Sequence, residues 1–279
     1  MKQVFVEEAC QLHSKVLLDT KQAHHLFDVL RIEQKETVRV ISKQGGAFLA
    51  KPLQKPYLYI TDEIEVPATL HHITLCCALI KQDCFEVMLQ KACELGVSRI
   101  VPFDSRFSII RLDEKKKEKK YERWQQILLD ACKQCNRNDL VQLEPIQSIE
   151  TLHNYQGKCN LVCYEKQNEA SMHLASYLKE DPKSVTIVIG PEGGFDVNEI
   201  EILQDDHFIP VTLGKRILRA ETAAIYALSC IDYQHALSKE EVVRFSITTL
   251  GCKVNSYESN YYKEQLEKHG HQLVEPTDP

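Results

Sequence analysis

The sequence contains no long apolar run. Its longest uninterrupted apolar stretch extends only from Leu75 to Ile80, whereas a membrane-spanning helix needs roughly 18 to 20 apolar residues. The opening residues, MKQVFVEEACQLH, place acidic side chains where a signal peptide requires its apolar segment. We therefore expect a protein that has no membrane partner and is located in the cytoplasm.

An excess of positive charge is also missing. The 279 residues include 34 Lys plus Arg against 40 Asp plus Glu, which gives a formal net charge of −6. Such a balance excludes a basic field over the whole molecule, so any surface for RNA or DNA must be a local patch. The 43% share of hydrophobic residues is ordinary for a folded globular chain, and the length favours about two domains.

Glycine is scarce, with ten residues in the chain against a usual share of about 7%, so its positions are informative. Cysteine is plentiful, with eleven residues. In a cytoplasmic protein thiols are kept reduced, and most of these cysteines are expected to be buried small apolar residues. Cys132 and Cys135 have the spacing of half a zinc site, but they lie in or at the end of a predicted helix. We therefore expect no bound metal.

The first seventy residues predict a small β-rich domain. A short helix is expected in the segment HHLFDVLRIEQ, from His24 onward, and Gly45-Gly46 is a typical hairpin turn. Pro67 marks the expected boundary, which gives a first domain of residues 1–70. Its strands are β-branched or aromatic runs, expected at Val4–Val6, Thr37–Ile41, Ala47–Pro52 and Tyr57–Val66.

Residues 71–242 alternate between strand-like and helix-like segments. The order of apolar strands and amphipathic helices is typical of a mostly parallel sheet that is covered on both faces. This second domain is therefore predicted to be α/β. Strands are expected in ITLCCALI, SRIVPF, NLVCYE and VTIVIG, and helices over 85–95, 121–135 and 172–178, from Val197, and in TAAIYALSCIDYQHAL.

Residues 243–279 form a third segment with a strand, a Gly-Cys turn and an amphipathic helix. The segment resembles the start of the radical methylthiotransferases that modify transfer RNA, in which the cysteine matching Cys252 helps to hold an iron–sulfur cluster. Only one of the required ligands is present, so a methylthiotransferase is a poor account of the whole chain.

Three of the ten glycines lie together in TIVIGPEGGFDVNEIEIL, as Gly190, Gly193 and Gly194. A glycine-rich turn between a parallel strand and a helix is where open α/β sheets bind ligands. The motif lacks the lysine of a phosphate loop and the spacing of a dinucleotide loop, and Glu192 would repel a phosphate. A cationic ligand or a neutral purine fits better. The alternative is a tight turn with purely structural glycines.

A second motif, VTLGKRILRAETAAIYAL, joins a strand to a helix. Gly214 permits close approach of the backbone, and Ile217 and Leu218 are apolar residues within a loop. Arg219 and Glu221 place opposite charges at the start of the helix. These features suggest the wall of a pocket for a flat ligand, although a buried loop that covers the sheet would look the same.

Together these blocks resemble the RsmE family of SPOUT methyltransferases, which methylate N3 of a uridine in 16S ribosomal RNA of the small subunit. The resemblance covers about residues 1–240. It is found, in the family's order, in HHLFDVLR, ALIKQDCFEVMLQKACELGVSRIVPF, the pair Ser105-Arg106, YERWQQILLDACKQCNR, IGPEGGF and LGKRILRAETAA.

The resemblance implies a PUA-like amino-terminal β-barrel, an α/β domain with a deep trefoil knot, bound S-adenosylmethionine and a homodimer. Periodicity alone would not have suggested a knot, because knots are almost absent from proteins. By match to the motifs, the cofactor pocket is expected to comprise Ile189, Gly190, Gly193, Gly194, Leu213, Gly214, Ile217, Leu218 and Arg219.

Uridine N3 keeps its proton at neutral pH, so methyl transfer requires a base or a cation that stabilises the developing uracil anion. Arg219 is the predicted cation. Glu221 either orients it or acts only as a favourable charge at the helix start.

RNA contacts are expected from both domains, at His25, Arg31, Lys81, Arg99, Arg106 and Arg137. The lysine-rich run from Asp113 to Arg123 is interrupted by acidic residues and favours a solvated helix start over an RNA contact. The main competing hypothesis is a non-catalytic RNA-binding protein with the same fold.

Overall fold

The computed structural model describes residues 2–66, 71–167, 169–238, 244–247, 253–268 and 272–273. Residues 1–232 form one compact unit and residues 233–279 a second. In the described part of the chain, no helix is both long and apolar enough to span a bilayer.

The amino-terminal region is built on a five-stranded sheet. Its strands are β1 (Lys2–Val6), β2 (Lys15–Leu17), β3 (Val38–Ser42), β4 (Ala47–Pro52) and β5 (Tyr57–Ile64). They lie in the order β1-β3-β4-β5-β2, with β1 parallel to β3 and the other pairs antiparallel. The four predicted strands are confirmed, whereas the three-residue β2 is too short to leave a periodic signal.

The predicted turn and helix of this region are also present. The Gly45 N–H donates to the Ser42 carbonyl at 3.0 Å and closes the β3–β4 hairpin. Helix α1 (Thr20–Ala23) continues directly into a π-helix (His24–Val29). The helical segment therefore begins before the predicted His24, because the Asp19 side chain accepts a hydrogen bond from the Gln22 N–H at 2.8 Å and caps α1.

The second region alternates strands and helices, as predicted. The strands are β6 (His72–Ala78), β7 (Arg99–Asp104), β8 (Gln142–Leu143), β9 (Gln147–Ser148), β10 (Cys159–Cys163), β11 (Ser184–Ile189) and β12 (Ile209–Val211). The helices are α2 (Gln82–Glu94), α3 (Glu114–Gln134), α4 (Leu174–Leu178), α5 (Val197–Asp205) and α6 (Ala220–Ser238), with 3-10 helices at Ile149–Tyr155 and Ala170–Met172.

The strands form one sheet in the order β12-β10-β11-β6-β7-β8, with β9 also paired to β7. All of these pairs are parallel, so the expectation of a mostly parallel α/β sheet is confirmed. Helix α3 begins at Glu114 rather than near Tyr121. The lysine-rich run thus belongs to its first turns, where Asp113 caps the helix and pairs with Lys116.

Both faces of the parallel sheet are buried. Along β6, Leu75 and Cys77 pack into one core cluster, whereas Cys76 and Ala78 pack into another. Helices α2, α3 and α6 contribute to the first cluster, and α5 contributes to the second. Parallel strands are connected by crossover helices, which cover the sheet on both sides.

The amino-terminal sheet is joined to the parallel-sheet region by buried polar contacts. The Arg39 guanidinium donates to the Gln3 side chain at 2.8 Å, to the Asn136 carbonyl at 2.7 Å and to the Asn138 side chain. The Gln3 amide in turn donates to the Arg137 carbonyl at 2.8 Å. This network fixes the chain after α3 against strands β1 and β3.

The second unit contains β13 (Arg244–Phe245), α7 (Lys253–Lys268) and β14 (Gln272–Leu273), and β13 pairs with β14 in parallel. The predicted strand and helix of the tail are therefore present. The predicted Gly-Cys turn at Gly251 and Cys252 lies outside the described residues. The two predicted domain boundaries, after residue 70 and after residue 242, also fall at residues outside the described part.

Candidate active site

A cavity of about 530 Å³ opens at the carboxyl ends of three neighbouring strands, β10, β11 and β12. Its walls come from the loops that follow these strands and from the first turn of α6. Loops at the carboxyl edge of a parallel sheet are the usual ligand-binding place of open α/β folds, and the volume suits a nucleoside-sized ligand.

All nine residues predicted for the cofactor pocket line this cavity. The glycine-rich loop contributes Ile189, Gly190, Gly193 and Gly194, and the loop before α6 contributes Leu213, Gly214, Ile217, Leu218 and Arg219. Two motifs about twenty residues apart in the sequence therefore face one space. The apolar loop residues Leu213, Ile217 and Leu218 belong to its wall, as the pocket interpretation of the second motif predicts.

The glycine-rich loop is fixed by the start of α5. The Asp196 side chain accepts a hydrogen bond from the Asn198 N–H at 3.0 Å, and the Glu199 side chain accepts one from the Asp196 N–H at 2.9 Å. The capping box predicted from the sequence is present. Gly194 has a φ of +73°, and a Cβ there would lie 2.7 Å from the Glu165 Oε1. The flexible Glu165 side chain could move away, but the positive φ would strain any larger residue at this position.

Glu192, in the middle of the same loop, connects it to α2. Its Oε1 accepts a hydrogen bond from the backbone N–H of Lys81 at 3.1 Å, and Lys81 is the cap residue of α2. A carboxylate at a helix amino terminus interacts favourably with the helix dipole. The loops after β6 and β11 are thus held together at the cavity.

Arg219 lies on the cavity wall with its side chain exposed. Among the described residues, no carboxylate or carbonyl lies within hydrogen-bond distance of its guanidinium. Glu221 is half-buried in the first turn of α6. Cys84 lies in the first turn of α2. Desolvation, followed by the Glu221 carboxylate, raises the pKa of its thiol, whereas the Arg219 guanidinium lowers that pKa. The two predicted catalytic residues therefore share one neighbourhood with the start of α2.

Two parts of the cavity were not predicted from the sequence. Cys163, Tyr164 and Glu165, at the end of β10, line it, as do Lys215 and Arg216 in the loop before α6. Burial raises the pKa of the Cys163 thiol to about 12, so this thiol is neutral. Tyr164 and Glu165 follow β10, a strand that neighbours β11. This position predicts a place in the cavity only when the strand order is known. Lys215 and Arg216 were visible inside LGKRILR.

The predicted RNA contacts divide into two groups. His25, Arg31, Lys81 and Arg106 are exposed. Lys81 and Arg106 follow β6 and β7 at the carboxyl edge of the sheet, and His25 and Arg31 lie in and after the π-helix of the amino-terminal region. These four side chains are accessible to a large partner.

Arg99 and Arg137 are held in internal contacts instead. Arg99 begins β7, at the opposite edge from the cavity, where it contacts Gln142 and Glu144. Only 12% of the Arg137 side chain is exposed, and its guanidinium contacts Asp139 at 2.6 Å and donates to the Cys93 carbonyl at 2.9 Å. These contacts give both arginines a structural role, and their RNA contacts stay predictions.

Cys132 and Cys135 lie at the end of α3, as expected. The Cys132 Sγ is 3.4 Å from the Sγ of Cys93 on α2, and both thiols are buried. The Cys135 Sγ contacts the Cys132 carbonyl. Cys93 and Cys132 thus pack between two helices, whereas Cys135 is half-buried. The prediction that most cysteines are buried is wrong for the described residues, since six of these ten cysteines are only half-buried.

The chain matches known proteins along most of its length. A family model described as an RNA methyltransferase domain matches residues 67–232, so the fold and the cavity belong to an RNA methyltransferase domain. The ribosomal RNA small subunit methyltransferase E of Bacillus subtilis is 34% identical over 235 residues, which cover 78% of this chain and 89% of that protein. The corresponding protein of Synechocystis is 32% identical and covers 79% of this chain and 74% of its own length.

The chain therefore belongs to the ribosomal RNA small subunit methyltransferase E (RsmE) family. Among solved structures, RsmE from Neisseria gonorrhoeae bound to S-adenosyl methionine has a TM-score of 0.74 and 28% identity, and covers 84% of this chain and 97% of its own. A Legionella pneumophila methyltransferase in complex with the same cofactor has a TM-score of 0.74 and 29% identity, with 83% and 96% coverage.

Proposed function

We propose that the protein is an S-adenosylmethionine-dependent methyltransferase that modifies N3 of a uridine in 16S ribosomal RNA of the small ribosomal subunit. The observation that carries this proposal is that all nine motif residues line one cavity, with the exposed Arg219 guanidinium on its wall. Relatives named as small-subunit ribosomal RNA methyltransferases support the substrate. The choice of uridine N3 rests on the resemblance of the motifs.

The cavity fits S-adenosylmethionine chemically. Glycine backbone and the apolar side chains of Ile189, Leu213 and Leu218 offer a surface for an adenine. The carboxylates of Glu165 and Glu192 make the lining suitable for a ligand with a cationic centre. When bound, the cofactor supplies an electrophilic methyl group.

Arg219 stabilises the negative charge that develops on the uracil ring as N3 loses its proton. The guanidinium suits this role because no protein carboxylate of the described residues neutralises it, and because arginine stays protonated at all working pH values. A cation positioned at developing charge lowers the barrier without further reorganisation. Glu221, in the first turn of α6, would orient Arg219.

The finer fold features belong to the same proposal. The five-stranded amino-terminal sheet is taken as a PUA-like barrel, and the loops around the cavity as part of a trefoil knot. Support comes from family membership and from the way the segments after β10, β11 and β12 close around one space. The enzyme would work in the cytoplasm as a homodimer, and sedimentation equilibrium would measure that state.

RNA would approach the carboxyl edge of the parallel sheet. Besides Arg219, the exposed basic residues Lys215 and Arg216 lie on the cavity wall, and Lys81 and Arg106 follow the neighbouring strands. Such side chains hold phosphates and fix the register of the RNA. They provide the local basic patch that an acidic protein needs in order to bind RNA.

Two measurements test this function against a non-catalytic RNA-binding protein of the same fold. Calorimetry should show binding of S-adenosylmethionine, and labelled methyl groups should be transferred to small-subunit but not to large-subunit ribosomal RNA. Absence of cofactor binding at millimolar concentration would contradict the proposal. RNA binding without methyl transfer would favour the non-catalytic alternative.

A further inference from the structure

An exposed aromatic residue, Phe107, lies directly beside the glycine-rich loop. The ideal Cβ position of Gly193, which lines the cavity, is 2.9 Å from the Phe107 Cβ, 3.2 Å from its carbonyl oxygen and 3.8 Å from its Cγ. Only a glycine at position 193 allows this approach. Nevertheless 44% of Phe107 remains exposed, which is unusual for an aromatic side chain so close to the core.

The segment that carries Phe107 is anchored at its base. The buried Glu199 carboxylate accepts hydrogen bonds from the Ser105 hydroxyl at 3.1 Å and from the Arg106 N–H at 2.9 Å. On the other side of Phe107, the buried Ser108 donates its N–H to the Ser105 carbonyl at 3.1 Å. The backbone on both sides of Phe107 is thus fixed, so its position is defined although its side chain is accessible.

Arg106 places a cation over one face of the aromatic ring. Its guanidinium carbon is 5.9 Å from the centroid of the Phe107 ring, and its NH1 pairs with the Asp196 carboxylate at 3.1 Å. The Arg106 side chain is still 62% exposed. An exposed aromatic ring next to an exposed guanidinium is the combination with which proteins bind unstacked nucleotides, since the ring stacks on the base and the cation binds the phosphate.

We infer that Phe107 is the stacking platform for a base of the substrate RNA at the mouth of the cofactor cavity, with Arg106 binding the adjoining phosphate. The inference rests on the proposed function. A base that is modified on its ring must leave the helical stack and be held in a fixed plane. Phe107 offers such a plane next to Gly193, and Gly193 lines the cavity.

Substitutions of Phe107 separate stacking from simple apolar packing. Phe107→Leu keeps an apolar side chain but removes the aromatic face, whereas Phe107→Tyr and Phe107→Trp keep that face. The substrate is unmodified small-subunit ribosomal RNA, supplied both as naked RNA and within small ribosomal subunits. Ile109→Ala is the matched control, because Ile109 is an apolar residue of the same segment and is 62% exposed.

The inference predicts that Phe107→Leu lowers kcat/KM for RNA about 5- to 100-fold, the range expected for one lost stacking contact. The Tyr and Trp variants should stay within about threefold of the unmodified enzyme. All variants should bind S-adenosylmethionine with unchanged affinity. If Phe107→Leu retains full activity, or if the Tyr and Trp variants lose as much as Leu, the stacking role is wrong. If the unmodified enzyme transfers no methyl group, the proposed function itself fails.

Discussion

Two arginines, Arg137 and Arg219, occupy opposite situations in this molecule. Arg137 is almost fully buried just after the end of α3. Its guanidinium pairs with Asp139 and donates a hydrogen bond to the Cys93 carbonyl. Arg219 is exposed on the wall of the cavity, and among the described residues it has no acceptor for its guanidinium. Both belong to blocks that resemble the same family, so the sequence assigns both to function.

The difference shows what distinguishes a structural cation from a functional one. A guanidinium has five N–H donors. In a structural arginine these donors bind acceptors of the protein itself, whereas in a ligand-binding arginine they remain available at the binding site. By this criterion Arg137 connects two parts of the fold, since its carbonyl also accepts a hydrogen bond from Gln3, whereas Arg219 is available for chemistry.

The largest expected effect is on catalysis, from Arg219→Ala. Removing a cation that acts on charge developed in the transition state should lower kcat about 100- to 1000-fold. Cofactor affinity should change by less than about threefold, because the interaction is made mainly in the transition state. Single-turnover methyl transfer and calorimetry measure the two quantities. Equal losses in binding and rate would make Arg219 a cofactor anchor instead.

The next effect is on stability, from Arg137→Ala. This change removes charge-assisted hydrogen bonds to Asp139 and to the Cys93 carbonyl, so the free energy of unfolding should fall by about 2 kcal/mol. Urea denaturation measures the change. The control is Lys119→Ala, at an exposed position of α3 without an ion pair among the described residues. A stable variant that binds RNA poorly would show that Arg137 acts on the substrate.

A smaller effect on stability is expected from substitution of a buried carboxylate, Glu199, compared with an exposed one, Glu165. Glu199 is buried and accepts hydrogen bonds from Ser105, Arg106 and Asp196. Glu199→Gln replaces one accepting oxygen with a donor, so stability should fall by about 1 kcal/mol. Glu165→Gln is the control, because Glu165 is exposed on the cavity wall and its substitution should leave the melting temperature unchanged. Equal effects of the two substitutions would contradict this account.

The smallest effect is expected from deletion of residues 246–279. The elements in this stretch, α7 and β14, are one helix and one short strand, too few to close a core of their own. Methyl transfer should therefore be unchanged. Activity and melting temperature are compared at equal protein concentration, since dimerisation changes apparent stability. Loss of methyl transfer would place the segment within the enzyme and move the predicted domain boundary.

The alternation of elements and the cavity motifs were predictable from the sequence because both are local. Strands such as β6 and β11 are mostly apolar, and the capping residues Asp196 and Glu199 stand at fixed spacing. Two loops with glycine and apolar residues at strand ends are sufficient to predict a pocket. The two loops line the same cavity because their strands are close in the sheet. The periodicity of the sequence does not specify this strand order.

The parts that were missed depend on contacts distant in sequence. Tyr164 and Glu165 belong to the cavity only because β10 lies between β11 and β12. The internal contacts of Arg137 could not be predicted either, because its partner Cys93 is forty-four positions away. The short strand β2 pairs with β5 across forty residues and has no pattern of its own. Burial and pairing of this kind appear only when the chain is folded.

The most direct test of the central claim is mass-spectrometric mapping of ribosomal RNA after incubation with the protein and isotopically labelled S-adenosylmethionine. This account predicts one labelled methyl group, at N3 of a single uridine of the small-subunit RNA, and its loss in the Arg219→Ala variant. A label on another base would overturn the substrate while leaving the fold intact. No label in any RNA, with the cofactor bound, would contradict the account.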